Sequence, residues 1–262
     1  MAVSLQFAPI YPVAYRVLKP LFPACLWSGN PRQRAVALTF DDGPHPQHTP
    51  QLLDVLERHQ VQATFFWLGL CVARSPQLAK AIYDQGHWIA LHGYDHRSFT
   101  TLSDAELRHS LDKTRTIITQ TCGLATDAIV DVRPPNGLFT PKTLDLLIAQ
   151  NYRPVMWSVV PEDWVTPGIA IVLDRILKQV RNGSIIVLHD GHYGGVDVAQ
   201  IADRLIPLLQ QQGYELVSID QLWQSHPGDR RIATNSTPPS NVDTPEVDTL
   251  EESFPQSRTA DQ

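Results

Sequence analysis

The chain has 262 residues, 43% hydrophobic and 18% charged, the proportions of a globular protein long enough for one large α/β domain or two small ones. Its formal net charge of −6 argues against a nucleic-acid binder. Residues 226–262 hold seven Asp/Glu against three Arg, a net −4, so the rest is close to neutral and says little about a partner.

The N-terminal stretch, residues 1–34, opens MAVSLQFAPIYPVAYRVLKPLFPACLW, apolar but broken by four prolines and by Arg16 and Lys19. It lacks an unbroken apolar run of about 20 residues and is a poor membrane span. Its basic residues sit inside the apolar part, not ahead of it as in a cleavable leader. The stretch is expected to dock on the rest of the protein or to touch a membrane surface peripherally. A cytoplasmic or membrane-peripheral location is favoured.

From Ala35 to about Trp223, short apolar runs alternate with amphipathic stretches. AVALTF predicts a strand, TPQLLDVLERHQ a helix, ATFFWLG a strand, SPQLAKAIYDQG a helix and HWIALHG a strand. SDAELRHSLDKTRTIITQ follows as a helix, then AIVDVRPP as strand, TPKTLDLLIAQN as helix and PVMWSVV as strand. IAIVLDRILKQVRN, SIIVLHD, DVAQIADRLIPLLQQQG and ELVSID complete the series as helix, strand, helix, strand. Three helices begin after Ser or Thr with Pro or an acidic residue nearby, and several close on Gly, as at Asn182-Gly183. Alternation with short links implies a parallel sheet. About seven such units imply a single α/β domain over residues 35–225, a distorted (β/α) barrel, with an open doubly wound sheet as the alternative. No GxGxxG or GxxxxGK[ST] marks a nucleotide site. The Pro-, Ser-, Thr- and acid-rich tail, residues 226–262, is expected to be disordered. Cys25, Cys71 and Cys122 form no CxxC and suit core packing or a reduced compartment better than a disulfide scaffold.

Reactive residues recur where the predicted strands end. Asp41 and Asp42 follow AVALTF, His92 and His96 follow WIAL, and Arg133 follows AIVDV. Asp163 and Trp164 follow VMWSVVPE, and His189 and Asp190 follow SIIVL. In a parallel barrel all these ends share the face that carries active sites. Adjacent residues on an extended chain point to opposite sides, so Asp41 and Asp42 are expected to do different jobs rather than grip one ion as a pair. Capping the following turn is the bland alternative. HGYDH sets two imidazoles four residues apart, on a loop given Gly93 and the preceding strand. With Asp42 they make a His2Asp set with open positions, as a catalytic zinc site requires.

TFDDGP, the His92/His96 pair, RPPNG, PEDW and VLHD occur in the order of the five motifs of the polysaccharide deacetylases, carbohydrate esterase family 4, which carry the nodulation-factor deacetylase homology domain. The chain resembles that family from Ala35 to about Trp223. The resemblance implies a distorted (β/α) barrel and one divalent metal ion, zinc (Zn2+) first, with cobalt, nickel or manganese as alternatives. It also implies removal of N-acetyl, sometimes O-acetyl, groups from chitin, peptidoglycan or related glycans. Asp41 then looks like the general base, Asp42, His92 and His96 like the metal ligands, and Arg133 like the partner that fixes Asp41. His189 resembles the general acid, with Asp163 as the carboxylate that raises its pKa. Trp164 and Val187 are candidates for a small pocket around the acetyl methyl, ordinary core being the preferred alternative for Val187. Pro135 and Asn136 are candidate substrate contacts, the oxyanion contact belonging to the backbone N–H at Asn136.

Three residues depart from the family's pattern: Gly93 for the usual Ser or Thr, Asn136 for an aromatic, and Val160 for the first Asp of Asp-x-x-Asp-Trp. None removes a ligand, the base or the acid, so they bear on substrate identity more than on activity. His59, His87 and His109 read as surface or helix-end residues, whereas His45, His48 and His192 flank the rim. Two alternatives stand beside a glycan deacetylase: the same metal site hydrolysing a small non-sugar amide, and a non-catalytic glycan-binding homologue. The retained base, ligands and acid speak against the second.

Overall fold

Strand β1 (Ala35–Asp41) is buried along all seven residues, because parallel strands pair with both of its edges and both of its faces are covered. Val36, Leu38 and Phe40 on one face share a cluster with helix residues such as Leu52 and Leu205, and Ala35 and Ala37 on the other share one with Phe66 and Val155. The computed structural model describes residues 10–192 and 194–225; the expected disordered tail lies outside the described residues. The other strands are β2 (Thr64–Trp67), β3 (Trp88–Leu91), β4 (Asp131–Val132), β5 (Arg153–Pro154), β6 (Ile185–His189) and β7 (Glu215–Leu216). The helices are α1 (Tyr11–Leu21), α2 (Thr49–Arg58), α3 (Gly69–Arg74), α4 (Pro76–Asp84) and α5 (Asp104–Cys122), then α6 (Pro141–Ala149), α7 (Ile169–Gln179), α8 (Val198–Gln211) and α9 (Ile219–Gln224).

The strands run parallel in the order β5-β4-β3-β2-β1-β6, with β7 paired to the start of β1. Neighbours from β1 to β5 are consecutive in the chain, and β6 pairs with the far side of β1. What sets the fold apart from an open doubly wound sheet is that the segment after β5 bridges back to β6. The predicted strand PVMWSVV is the least regular. Only Arg153–Pro154 joins the ladder with β4, and beyond it Leu26 bridges Val155. Val159 then bridges Ile186, its N–H donating to Ile185 O at 3.1 Å while Val187 N–H donates to Val159 O at 3.1 Å. The two edges of the sheet therefore meet through an irregular segment, which is why the barrel is distorted.

Helix ends follow local chemistry. Ser103 and Glu106 form a reciprocal capping box at the start of α5, which stops at Gly123 in the left-handed conformation, φ 72. Helices α2 and α8 pack on each other and on the sheet through Leu52, Leu56, Leu205 and Leu209, all fully buried. Each such side chain contributes about 1.5–3 kcal/mol relative to exposure.

The proline-broken N-terminal stretch forms a helix that its sequence concealed. Pro12 sits in the first turn of α1, where a missing N–H costs nothing, and Pro20 falls near its end. The expected docking on the rest of the protein is seen: Tyr11, Tyr15 and Leu18 of α1, with Phe22 just after it, pack on the core. Ile10, Val13, Val17 and Leu21 face outward and are more than half exposed. Among the described residues no helix is long and apolar enough to cross a membrane. His87 also departs from expectation. It is buried, its Nδ1 accepts the Ala63 N–H at 3.2 Å, and burial lowers its pKa to about 4.

Candidate active site

The downstream ends of the strands open on one cleft of about 450 Å³. Asp41 closes β1, but Asp42 turns at once to φ 73. The left-handed turn ends the side-to-side alternation expected of an extended chain, so both carboxylates reach the cleft. Their tips still diverge. Asp41 Oδ1 accepts from Arg133 Nη1 at 2.6 Å, whereas Asp42 Oδ1 lies 3.4 Å from His92 Nε2 and 3.3 Å from His96 Nε2.

Left-handed backbone costs a non-glycine residue about 1–2 kcal/mol, and close packing holds Asp42 there. A Cβ on Gly191 would collide with the Asp42 side chain, and one on Gly43 would collide with the Asp190 carboxylate. Asp190 is fully buried and accepts the Thr49 hydroxyl at 2.5 Å. Burial, with Asp42 and Asp41 adding to it against the Thr49 bond, raises its pKa to about 7.

Arg133 is fully buried and divides its guanidinium among Asp41, Thr39 Oγ1 at 2.8 Å and the Met156 carbonyl at 3.0 Å. Its plane lies over the Phe66 ring, 3.9 Å from the centroid. One cation thus fixes the Asp41 carboxylate while three strand ends fix the cation.

Asp42, His92 and His96 present ligand atoms that all lie within 4.8 Å of one another. His92 Nδ1 donates to the Arg133 carbonyl at 2.8 Å, since a carbonyl only accepts. That bond leaves the Nε2 lone pair facing Asp42. Burial lowers the His92 pKa, against the pull of Asp41 and Asp42, and favours the neutral ring a metal needs. Asp42 Oδ1 is buried and, among the described residues, has no hydrogen-bond partner. An orphaned carboxylate oxygen between two imidazoles fits a divalent cation of the zinc class, with coordination positions open to the cleft.

HGYDH is a loop, as expected, pinned on both sides. Gly69 N–H donates to Gly93 O at 3.1 Å, Leu70 N–H to Tyr94 O at 2.9 Å, and Tyr94 N–H to Ser110 Oγ at 3.0 Å. Gly93 is left-handed, φ 84, and a Cβ there would come within 3.1 Å of Phe99. The departure from Ser or Thr therefore suits this backbone.

Across the cleft, Asp163 Oδ2 accepts the His189 N–H at 2.8 Å and its Oδ1 lies 2.9 Å from His189 Nδ1. Burial works against the charged ring, but Asp163, through its charge and its hydrogen bond, together with the charges of Asp42 and Asp41 outweighs it, and the His189 pKa rises to about 9.

Asn136, Val160, Trp164 and Val187 line the cleft, Val187 also being core at 3% exposure. Pro135 is not among the described residues that line the cleft; it is buried against the His loop, 3.8 Å from where a Gly93 Cβ would stand. His45 and His48 stack on each other at 4.0 Å, with His192 6.4 Å from His45, beside the cleft and not in its lining. Sequence patterns did not single out Tyr11 or Trp157, which with Gly137 of the RPPNG motif complete the wall. Trp157 lay in a predicted strand whose faces the pattern left undefined, and Tyr11 arrives on the unpredicted helix.

A family model described as polysaccharide deacetylase matches residues 28–155. A peptidoglycan-N-acetylglucosamine deacetylase of Bacillus cereus is 30% identical over 198 residues, 75% of this chain and 91% of the relative. A chitooligosaccharide deacetylase of Bradyrhizobium sp. is 34% identical over 200 residues, 72% of this chain and 90% of the relative. Among solved structures, PdaA of Bacillus subtilis, a family 4 carbohydrate esterase, is similar with a TM-score of 0.71 at 34% identity, over 79% of this chain and 88% of that one.

Proposed function

The chain belongs to the polysaccharide deacetylases, carbohydrate esterase family 4, and from that membership and the geometry of its cleft we propose a metal-dependent hydrolase that removes N-acetyl groups from the amino sugars of a chitin- or peptidoglycan-like glycan. The observation that carries the proposal is the unpartnered Oδ1 of Asp42 between His92 and His96, in one cleft with Asp41 and His189.

Asp42, His92 and His96 would hold a divalent cation, zinc first, which when bound would supply Lewis acidity for attack on the acetyl carbonyl. Asp41 takes the proton of the attacking water. Its Oδ1 is committed to Arg133, so Oδ2 is the atom that receives it. The C–N bond breaks as the new C–O bond matures, and the leaving nitrogen needs a proton. His189 supplies it from Nε2, because Nδ1 is turned to Asp163. The backbone N–H of Asn136 meets the carbonyl oxygen as it gains charge, and Val160, Val187 and Trp164 exclude water around the methyl group. Acetate and a free amine leave.

Purified protein is expected to hold about one divalent ion per chain, to release acetate from acetylated chitooligosaccharides or peptidoglycan, to lose turnover on chelation and to regain it with zinc. Metal-loaded protein that releases no acetate from glycans yet hydrolyses small acetamides would replace this substrate class with the small amide.

A further inference from the structure

Resting on the glycan-deacetylase reading, we infer that helix α1 builds a sugar-binding subsite beside the reacting centre, with the Tyr11 ring as its platform and buried Trp157 behind it, which makes the protein prefer oligosaccharides to single amino sugars.

Helix α1 lies upstream of residues 28–155, the segment that matches the family model. It nevertheless supplies part of the wall of the cleft that holds Asp41, Asp42 and His189. Tyr11 stands in its first turn, where Pro12 restrains the following backbone. The Tyr11 ring meets Trp157 edge-on, centroids 5.4 Å apart at 89°, and Trp164 at 6.3 Å and 80°. Trp164 in turn meets His189 edge-on at 5.0 Å and 75°. An aromatic wall therefore runs from the new helix to the proton donor.

That wall is rigid from behind. Trp27 packs edge-on against Trp157 at 6.1 Å, and Gly137 lies so close that a Cβ there would come within 2.8 Å of the Trp157 ring. Tyr11 is only half-buried, so part of its ring area faces the cleft. Edge-to-face aromatic rings present π faces and edges in fixed directions. A pyranose offers the complement: C–H groups on one face for the rings, hydroxyls on its rim for the Tyr11 O–H. Burial and the nearby Glu162 both raise the Tyr11 pKa, so its hydroxyl keeps its proton and can donate. The cleft of about 450 Å³ falls in the ~300–1,000 Å³ range of small-ligand sites and exceeds what an acetamido group alone would fill.

The test uses the full chain loaded with zinc, comparing N-acetylglucosamine with fully N-acetylated chitotetraose in wild type, Tyr11→Ala, Tyr11→Phe and Val17→Ser. Val17 faces away from the cleft on the same helix and controls for general disturbance of α1. The ratio of kcat/KM for the tetramer to that for the monomer is expected to fall about tenfold in Tyr11→Ala, through KM, to fall part of that way in Tyr11→Phe, which keeps the ring and loses the O–H, and to stay near wild type in Val17→Ser. An unchanged ratio in Tyr11→Ala, or a fall of the same size in Val17→Ser, overturns the subsite. Should wild type release no acetate from either sugar, the deacetylase reading fails, and the subsite is read by tryptophan fluorescence. Chitotetraose that quenches wild type and binds Tyr11→Ala about tenfold more weakly supports it; no binding, or equal binding, overturns it.

Discussion

Asp163 holds His189 by two bonds at once, one oxygen on the backbone N–H at 2.8 Å and the other 2.9 Å from ring Nδ1. Backbone and ring are gripped by the same buried carboxylate, so the imidazole is oriented and charged in a single contact. The His189 pKa, carried to about 9, lies above its ordinary 6.5. A group raised in this way stabilises the fold fully below about pH 6.5, and that contribution is lost as pH rises through about 9. In chelated protein, the stability advantage of wild type over Asp163→Asn should shrink by on the order of 3 kcal/mol between pH 6 and pH 10. Urea midpoints at four pH values measure it, and a pH-independent difference would remove Asp163 as the source of the charge.

Asp41 and Asp42 are neighbours with separable tasks. Asp41→Asn is expected to keep about one bound ion and to lose activity by about 10²–10⁴-fold. His92→Ala should lose both ion and activity. Metal content by elemental analysis beside acetate release distinguishes them. An Asp41→Asn protein turning over at the wild-type rate would show that another group takes the proton.

His189→Ala should slow amide substrates, whose leaving nitrogen must be protonated, far more than activated aryl acetates, whose leaving group departs without help. The comparison is a ratio of kcat values on the two substrates. Equal slowing of both would assign His189 to architecture alone.

Arg133→Met leaves the buried Asp41 carboxylate without its cation. The expected loss is about 3–5 kcal/mol in urea unfolding, because an uncompensated buried charge is what remains. The double variant Arg133→Met/Asp41→Asn should recover part of that loss. No recovery would mean that Arg133 acts mainly through Thr39 and Met156.

Gly93→Ser restores the residue type usual in the family, yet here it is expected to destabilise by about 1–2 kcal/mol. The position is left-handed and Phe99 sits against it. Thermal unfolding with zinc affinity measured alongside tests this, and a gain in both would show that the loop relaxes to accept the hydroxyl.

Local patterns carried the alternation of strands and helices, the caps at Ser103 and Thr140, and the placement of Asp41, His92, Arg133 and His189 at strand ends. Those patterns are legible because periods of 2 and 3.6 and N-cap chemistry act within a few residues, and because a parallel barrel gathers its strand ends on one face. The turn at Asp42, the closure from Val159 to Ile186, the burial of His87 and the arrival of Tyr11 at the cleft were settled by tertiary contact. Thr39 and Arg133 meet across 94 positions of chain, and Thr49 and Asp190 across 141. Packing of that range selects among backbone conformations that each short segment, taken alone, leaves nearly equal in energy, and so it decided which way Asp42 faces and which helix walls the site.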